Sequence, residues 1–221
     1  FVANVSHELR TPVSVIHANS ETLLDGALED REQGPKFVEA IHRNSARLGN
    51  LVADLLDLSR IEAGQNALKL ESIKLIGAGT RATEAIGISA TKKNTKVVNA
   101  VPDALFALAD LQALDQVLLN LVENAVKYTP EGGEVVVRAH SLGQRVRIEI
   151  EDDGPGVPEE HRERLFERFY RVDPGRSKQM GGTGLGLAIV KHLVNTMGGN
   201  VGMMPAPKQG SVFWVELPKA H

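Results

Sequence analysis

The chain turns from loop into helix at one glycine-rich stretch, Gly181-Gly182-Thr183-Gly184-Leu185-Gly186-Leu187, and a helical pattern over 188–197 follows it. The backbone amides of such a stretch, together with the positive end of the helix, can hold phosphate groups. Its glycines do not have the spacing of a dinucleotide-binding loop, and the strand patterns near it do not form a parallel strand–helix–strand unit. We therefore expect a phosphate site that is not of the Rossmann type.

Short β-rich runs alternate with helical patterns around this stretch. The strand patterns cover 69–75, 96–101, 134–140, 145–152 and 211–217. The helical patterns cover 76–93, 111–127, 158–169 and 185–197. Turns at Gly132-Gly133 and Leu142-Gly143 stand beside neighbouring strands, which indicates a mixed, largely antiparallel sheet with helices on one face. Residues 65–221 are thus predicted to form an α+β two-layer sandwich.

The first part of the chain carries a different pattern. Two helical stretches, each with one apolar stripe at steps of three and four residues, flank a turn between Gly26 and Pro35. A single hairpin of this kind buries its stripes poorly. Pairing with a second copy into a four-helix bundle covers them, so residues 1–64 are predicted to form a helical hairpin that makes the protein a homodimer.

Within the first helix a histidine stands beside an acidic residue, in the run Ser6-His7-Glu8-Leu9-Arg10-Thr11-Pro12. At about 100° per residue, His7 points away from the apolar stripe of Val5 and Leu9. An ordinary surface histidine would have the same pattern. However, Pro12 inside a helix costs about 3 kcal/mol, which favours a functional bend near His7. A zinc-protease site is excluded because Thr11 stands where the second histidine ligand would be.

The chemistry of this run points to a phosphoryl acceptor. A neutral imidazole nitrogen of His7 could attack the γ-phosphorus of ATP while Glu8 accepts the proton of the ring. ATP then needs a site elsewhere in the chain, and the sequence has no Gly-Lys-Ser/Thr phosphate loop.

The helical pattern over 111–127 is one candidate for that site. Its polar face carries Asn120 and Asn124, whose amide groups suit magnesium and phosphates, and Lys127 adds positive charge one turn later. A merely solvated helix face would carry similar residues.

A second candidate is Asp152, which ends a strand pattern and precedes Gly154 and Gly156. Its carboxylate could accept a hydrogen bond from the amino group of adenine, and the glycines would let the backbone lie close to the ring. A plain turn is the alternative interpretation.

The composition limits the class of protein. A chain of 221 residues with 42% hydrophobic and 24% charged residues is expected to be globular. A net charge of −3 without a concentrated basic surface argues against nucleic-acid binding. The absence of cysteine suits a reducing compartment, and we expect neither a targeting leader nor a membrane-spanning segment within the chain.

Taken in order, these segments resemble the boxes of sensor histidine kinases of two-component systems, including those of the phosphate-regulon type. The run around His7, with the five residues 1–5 before it, resembles the phosphoacceptor box. The segments that resemble the boxes of the catalytic domain are 120–128, 152–156, 166–171, 182–186 and 210–211. The resemblance implies a helical hairpin that forms a dimeric four-helix bundle, followed by an ATP-binding sandwich of the histidine-kinase, gyrase and Hsp90 type.

The resemblance also implies roles for individual residues. His7 would be phosphorylated, Glu8 would be its base, and Thr11 would orient water that hydrolyses the phosphoaspartate of a response regulator. Six side chains would surround ATP and Mg²⁺: Asn120 as metal ligand, Asn124 and Lys127 at the phosphates, Tyr128 beside adenine, Asp152 at its amino group and Arg171 near the phosphates. Further nucleotide contacts would come from Gly154, Gly156, Gly182, Thr183, Gly184, Leu185, Gly186 and Leu187. Residues 171–181, which are polar and glycine-bearing, would form a mobile lid.

The implied activity is ATP-dependent autophosphorylation on His7 and transfer to an aspartate of a response regulator, with phosphatase activity toward the phosphorylated regulator. Two alternatives remain, a pseudokinase scaffold that binds ATP without turnover and an ATP-driven clamp in which His7 is incidental. The implied partners are a second copy and a receiver domain. Any membrane attachment would lie in segments outside this chain, which would then be the cytoplasmic portion of a bacterial inner-membrane sensor.

Overall fold

The structure begins with a helical hairpin. The computed structural model describes residues 2–62, 68–173, 175 and 182–220, so the predicted boundary at residues 64 and 65 and part of the predicted lid lie outside the described residues. The hairpin consists of helix α1 (Val2–Thr22), a π-helical turn (Leu23–Ala27) and helix α2 (Gly34–Glu62). The chain reverses where Gly26 adopts a φ of 113° and the Asp30 carboxylate accepts two backbone amides of the turn. The predicted hairpin is confirmed.

The described residues from 68 onward form the α/β domain. Its strands are β1 (Glu71–Lys74), β2 (Lys96–Asn99), β3 (Phe106–Ala109), β4 (Glu134–Leu142), β5 (Arg145–Asp152), β6 (Asn200–Pro205) and β7 (Ser211–Pro218). Its helices are α3 (Leu75–Ala85), α4 (Gly87–Lys92), α5 (Leu111–Tyr128), α6 (Glu159–Arg162) and α7 (Gly186–Thr196). One sheet has the order β2-β4-β5-β7-β6 and is antiparallel except between β2 and β4, and β1 pairs with β3 in a second sheet. The mixed, largely antiparallel sheet is confirmed.

Two strands were not predicted from the sequence. Strand β3 alternates large residues with alanine, and β6 contains Gly202 and Pro205, so neither has the composition of a strong strand former. Tertiary contacts stabilise them instead, since β3 pairs with β1 and the missing side chain of Gly202 makes room for the ring of Trp214.

Two helical predictions need correction. The single helix predicted over 76–93 is broken at Ile86, between α3 and α4. The helix predicted over 158–169 is wrong beyond α6, where turns replace it. Phe169 adopts a φ of 64°, which an α-helix excludes, and its amide donates to the carbonyl of Gly184 at 2.8 Å. The backbone conformation at Phe169 is therefore determined by its contact with the glycine-rich stretch and not by the local spacing of apolar residues.

The core lies between the five-stranded sheet and its helices. Helix α5 packs on β4 and β5, while α7 packs on β6 and β7 and on α5. The hairpin joins this core through α2, which packs on α7, and Leu51 and Leu58 of α2 are each 1% exposed. Over the described ranges, no helix has both the length and the apolarity needed to cross a membrane.

Candidate nucleotide and phosphoacceptor site

Helix α5 presents three predicted site residues on one face. The helix begins where the Asp110 carboxylate accepts the amide of Ala113 at 2.9 Å. Its apolar face is buried and consists of Ala113, Leu114, Val117, Leu118, Leu121, Val122, Ala125 and Val126. Asn120, Asn124 and Lys127 lie on the other side and are half-buried. A Cβ atom on Gly186 would lie 3.7 Å from the Asn120 side-chain oxygen, so this face of α5 meets the start of α7.

Asp152 lies on the buried face of β5. Burial alternates along this strand, and Asp152 shares its inward side with Val146, Ile148 and Ile150. The side chain is 4% exposed, and burial raises the pKa of Asp152 to about 6 against the opposing effect of hydrogen bonds from the amides of Gly154 and Ser211. A buried carboxylate of this kind favours a ligand that donates a hydrogen bond to it.

Glycines leave room around Asp152. A Cβ atom on Gly210, whose φ is 107°, would overlap the Asp152 carbonyl oxygen. A Cβ atom on Gly154 would lie 2.6 Å from the Asp152 carboxylate and 3.3 Å from the carbonyl of Tyr128. Gly156 also requires a positive φ, 75°, and faces the backbone of Gly210. The end of α5, the turn after β5 and the turn before β7 therefore meet at one place.

The glycine-rich stretch forms the other wall of the site. Gly182 and Thr183 are half-buried, Gly184 has a φ of 77° against the backbone of Phe169, and Leu185 is fully buried. Helix α7 then begins at Gly186, and the next residue, Leu187, packs against the core. Gly181 lies outside the described residues.

Arg171 connects this stretch to the hairpin. Its side chain is 7% exposed, and its Nη2 donates to the Thr183 carbonyl at 2.7 Å and to the Glu8 carboxylate at 3.0 Å. Its Nε is buried and has no hydrogen-bond partner in the part of the chain that the structure describes. A guanidinium with a free buried N–H group can take an additional anionic ligand.

Lys127 lies in the same charged environment. Burial lowers its pKa, Glu123 opposes that effect, and the positive charges of Arg171 and Arg47 add to it. Its Nζ lies 5.7 Å from the centre of the Tyr128 ring. Lys127 thus feels the charges of three other side chains, Glu123 on α5, Arg47 on α2 and Arg171 before the glycine-rich stretch.

The predicted phosphoacceptor segment lies on α1. His7 is exposed, and its imidazole has no hydrogen-bond or ion-pair partner within residues 2–62, 68–173, 175 and 182–220. The Thr11 hydroxyl donates to the His7 carbonyl at 3.2 Å. Glu8, in contrast, is held by both Arg47, at 2.7 Å, and Arg171.

Sequence reasoning missed four residues near the junction of the hairpin and the α/β domain, of which Arg47 acts within the hairpin and the other three join the two parts. Arg47 binds Glu8, the Thr183 hydroxyl donates to Asp54 at 2.6 Å, and Gln116 of α5 donates to Asp57 at 2.8 Å. Burial is the main cause of a raised pKa at Asp54. The spacing of Asp54 and Asp57 within the run Asp54-Leu55-Leu56-Asp57-Leu58 was the available signal, because it places two acids on one side of an otherwise apolar segment.

Comparisons with known proteins agree with this arrangement. Residues 1–64 match the His Kinase A (phospho-acceptor) domain, and residues 109–221 match the Histidine kinase-, DNA gyrase B-, and HSP90-like ATPase family. The sensor-like histidine kinase SenX3 of Mycobacterium tuberculosis (strain H37Rv) is 39% identical over 221 residues, covering 99% of this chain and 53% of SenX3.

Two solved structures share the fold. Full-length ShkA in complex with AMPPNP is 35% identical with a TM-score of 0.71, covering 99% of this chain and 45% of ShkA. Histidine kinase ThkA in complex with the response regulator protein TrrA is 26% identical with a TM-score of 0.80, covering 99% of this chain and 61% of that chain. The chain belongs to the two-component sensor histidine kinases, and it spans about half the length of the curated relatives it matches.

Proposed function

We propose that this chain transfers the γ-phosphoryl group of ATP to His7 and then to an aspartate of a response regulator. One observation carries the proposal: Arg171 binds both Glu8, which is next to His7, and Thr183 of the glycine-rich stretch. The predicted phosphoacceptor segment and the predicted phosphate-binding segment are therefore linked through one side chain. The ShkA complex with AMPPNP, an ATP analogue, supports ATP as the nucleotide.

ATP would bind between α5 and the glycine-rich stretch. The adenine amino group would donate to Asp152, which is buried and ionised at neutral pH, and Tyr128 would pack beside the ring. Asn124, Lys127 and the amides of residues 182–187 would contact the phosphates.

Magnesium fits the donor set of α5. Over the described ranges, no three acidic or histidine side chains form a dedicated metal cluster. Mg²⁺ commonly uses few protein ligands and completes its shell with phosphate oxygens and water. The half-buried amide oxygen of Asn120 could supply one protein ligand, and the ion would neutralise charge on the phosphates.

The transfer step needs few protein groups. A neutral nitrogen of His7 forms the new P–N bond as the bond from the γ-phosphorus to the oxygen of ADP breaks, and ADP leaves with that electron pair. The proton on the other imidazole nitrogen passes to Glu8. Lys127 and Arg171 neutralise charge on the moving group, and Arg171 exchanges Glu8 for a phosphate oxygen as it does so.

We propose a homodimer and a response regulator as the partners. The exposed apolar residues of the hairpin and its match to the phosphoacceptor domain support the dimer. The ThkA complex with TrrA supports a receiver domain that takes the phosphoryl group from His7. Phosphatase activity would use Thr11, one turn from His7 on α1, to orient water. The chain would be the cytoplasmic portion of a membrane-anchored sensor, and the additional length of the SenX3 relatives, about as long again as this chain, leaves room for an anchor and a sensor region.

Incubation with γ-labelled ATP tests the proposal. We expect acid-labile, alkali-stable label on the wild-type chain and none on His7→Gln. The variant His17→Gln is the matched control, since His17 is also exposed on α1, and it should label normally. Nucleotide binding without label would support a pseudokinase scaffold, and release of free phosphate alone would support an ATP-driven clamp.

A further inference from the structure

Arg47 is a buried charged side chain at the centre of the hairpin. It is 8% exposed, and no other charged side chain between residues 4 and 60 is buried. Its Nη2 donates to Oε2 of Glu8 at 2.7 Å, a charge-assisted bond between α2 and α1. A guanidinium removed from water needs such a partner, so the two side chains hold each other in place.

Glu8 is shared between two arginines that belong to different parts of the molecule. Arg171 also contacts Oε2 of Glu8, at 3.0 Å, but it comes from the α/β domain and also binds Thr183. A phosphate bound beside Thr183 would draw Arg171 away from Glu8. Arg47 lies on the same hairpin as Glu8 and His7, so its contact with Glu8 does not depend on where Arg171 is.

Two positive charges face Glu8 from two other segments of the chain. Arg47 faces it from α2 and Arg171 from the segment before the glycine-rich stretch. On α5, Lys127 is affected by the charges of Arg47, Arg171 and Glu123. Arg47 therefore lies within electrostatic reach of the proposed phosphate site without belonging to the α/β domain.

We propose that Arg47 is a positioning residue for phosphorylation of His7. It holds the Glu8 carboxylate in a fixed orientation after Arg171 has turned to the phosphates, so that Glu8 is in place to accept the imidazole proton. The inference rests on the proposed function, because Glu8 acts as a base only if His7 is the nucleophile.

Steady-state labelling of His7 by the whole chain tests this role. In Arg47→Met, a misplaced Glu8 accepts the imidazole proton less effectively, so kcat should fall on the order of tenfold, while the KM for ATP should change much less. Arg47→Lys, which keeps one charged donor, should recover part of the loss. Arg43→Met is the matched control, since Arg43 lies one turn earlier on α2, exposed and 3.8 Å from Glu39, and should label at the wild-type rate.

A double-mutant cycle separates positioning from a structural role. In a Glu8→Gln background, Arg47→Met should have little further effect on kcat, because its effect passes through Glu8. A full tenfold loss in that background, or a wild-type kcat for Arg47→Met alone, would overturn the proposal. If Arg47→Met does not fold, the same cycle with Arg47→Lys decides the point. Absence of label on the wild-type chain would instead refute the proposed function.

Discussion

Arg171 Nη2 lies 3.0 Å from Glu8 Oε2, so one guanidinium joins the residue beside His7 to the glycine-rich stretch. Asp54 makes a second contact of this kind, 2.6 Å from the Thr183 hydroxyl. Both acids come from the hairpin, and both bind residues that we propose to contact the phosphates of ATP. The hairpin acids and the triphosphate therefore compete for the same positive and hydrogen-bonding groups.

Removing Asp54 should strengthen nucleotide binding. The variant Asp54→Ala frees Thr183 and removes a carboxylate from the neighbourhood of the triphosphate. Because a hydrogen bond of this type contributes about 1 kcal/mol, we expect the Kd for a non-hydrolysable ATP analogue to fall about threefold to tenfold. Isothermal titration calorimetry of the whole chain measures the change.

The control for that experiment also lies on α2. Glu39→Ala removes a carboxylate that is 67% exposed and pairs only with Arg43 in the described part of the chain, so the Kd should not change. Equal or weaker binding by Asp54→Ala would show that the Asp54–Thr183 contact does not oppose the nucleotide.

Nucleotide affinity should depend on the ionisation of Asp152. The pKa of this buried carboxyl is raised to about 6, and its ionised form accepts hydrogen bonds from two backbone amides and the adenine amino group more strongly than the protonated form. We expect the Kd for the ATP analogue to be about tenfold weaker at pH 5 than at pH 7. Asp152→Asn should bind weakly at both values. A wild-type Kd that is flat between pH 5 and 7 would contradict the role of Asp152.

The same carboxyl should affect stability in the opposite direction. Its pKa is about 3.9 in an unfolded chain and about 6 in the folded one, so the folded state holds the proton more tightly. Ionisation of Asp152 therefore destabilises the folded state. This destabilisation is absent below about pH 4 and complete above about pH 6, so the free energy of unfolding falls as the pH rises between these values. In urea unfolding, the free energy of unfolding of Asp152→Asn should increase relative to that of wild type by about 2 to 3 kcal/mol between pH 4 and pH 7. Asp153→Asn, which changes the exposed neighbouring carboxylate, should show no such increase.

The sequence allowed the strong periodicities to be predicted. Local preference and burial in the core favour the same structure in three elements, the long helices α2 and α5 and the alternating strand β5. Each of them carries many apolar residues in a single regular pattern. Strand β6 and the backbone at Phe169 could not be found in this way. Their conformations depend on distant partners, Trp214 for β6 and Gly184 for Phe169.

The predicted site residues behave similarly. Asp152 could be selected from the sequence because side chains alternate between the two faces of a strand, and this alternation places Asp152 on the inward face of β5. Arg47 could not be selected, since a single arginine on an amphipathic helix is usually solvated and its partner Glu8 lies 39 residues away. The spacing of Asp54 and Asp57 marks two acids on one side of α2, but the groups that they bind in the α/β domain are set by the tertiary structure.

A charge on the uncovered face of the hairpin should prevent dimer formation. Four apolar side chains of α1 and α2 are strongly exposed, Val13 at 49%, Val38 at 50%, Val52 at 43% and Leu56 at 53%. If a second copy covers them, a buried glutamate at position 56 is strongly unfavourable. We expect Leu56→Glu to be a monomer by light scattering at micromolar concentration, where wild type is a dimer. Ile88→Glu is the control, since Ile88 is 76% exposed on α4 and should leave the dimer intact.

Substitution of Gly210 should destabilise the turn beside Asp152 more than its backbone conformation alone explains. Gly132 and Gly210 both have a positive φ, 79° and 107°, so alanine is strained at either position by about 1 to 2 kcal/mol. Nothing lies within 4 Å of a Cβ at Gly132, whereas a Cβ at Gly210 overlaps the Asp152 carbonyl oxygen. We expect Gly210→Ala to cost about 3 kcal/mol or more in urea unfolding and to abolish binding of the ATP analogue, because the shift moves Asp152. Equal losses in the two variants would show that strain, and not the close approach to Asp152, requires glycine at 210.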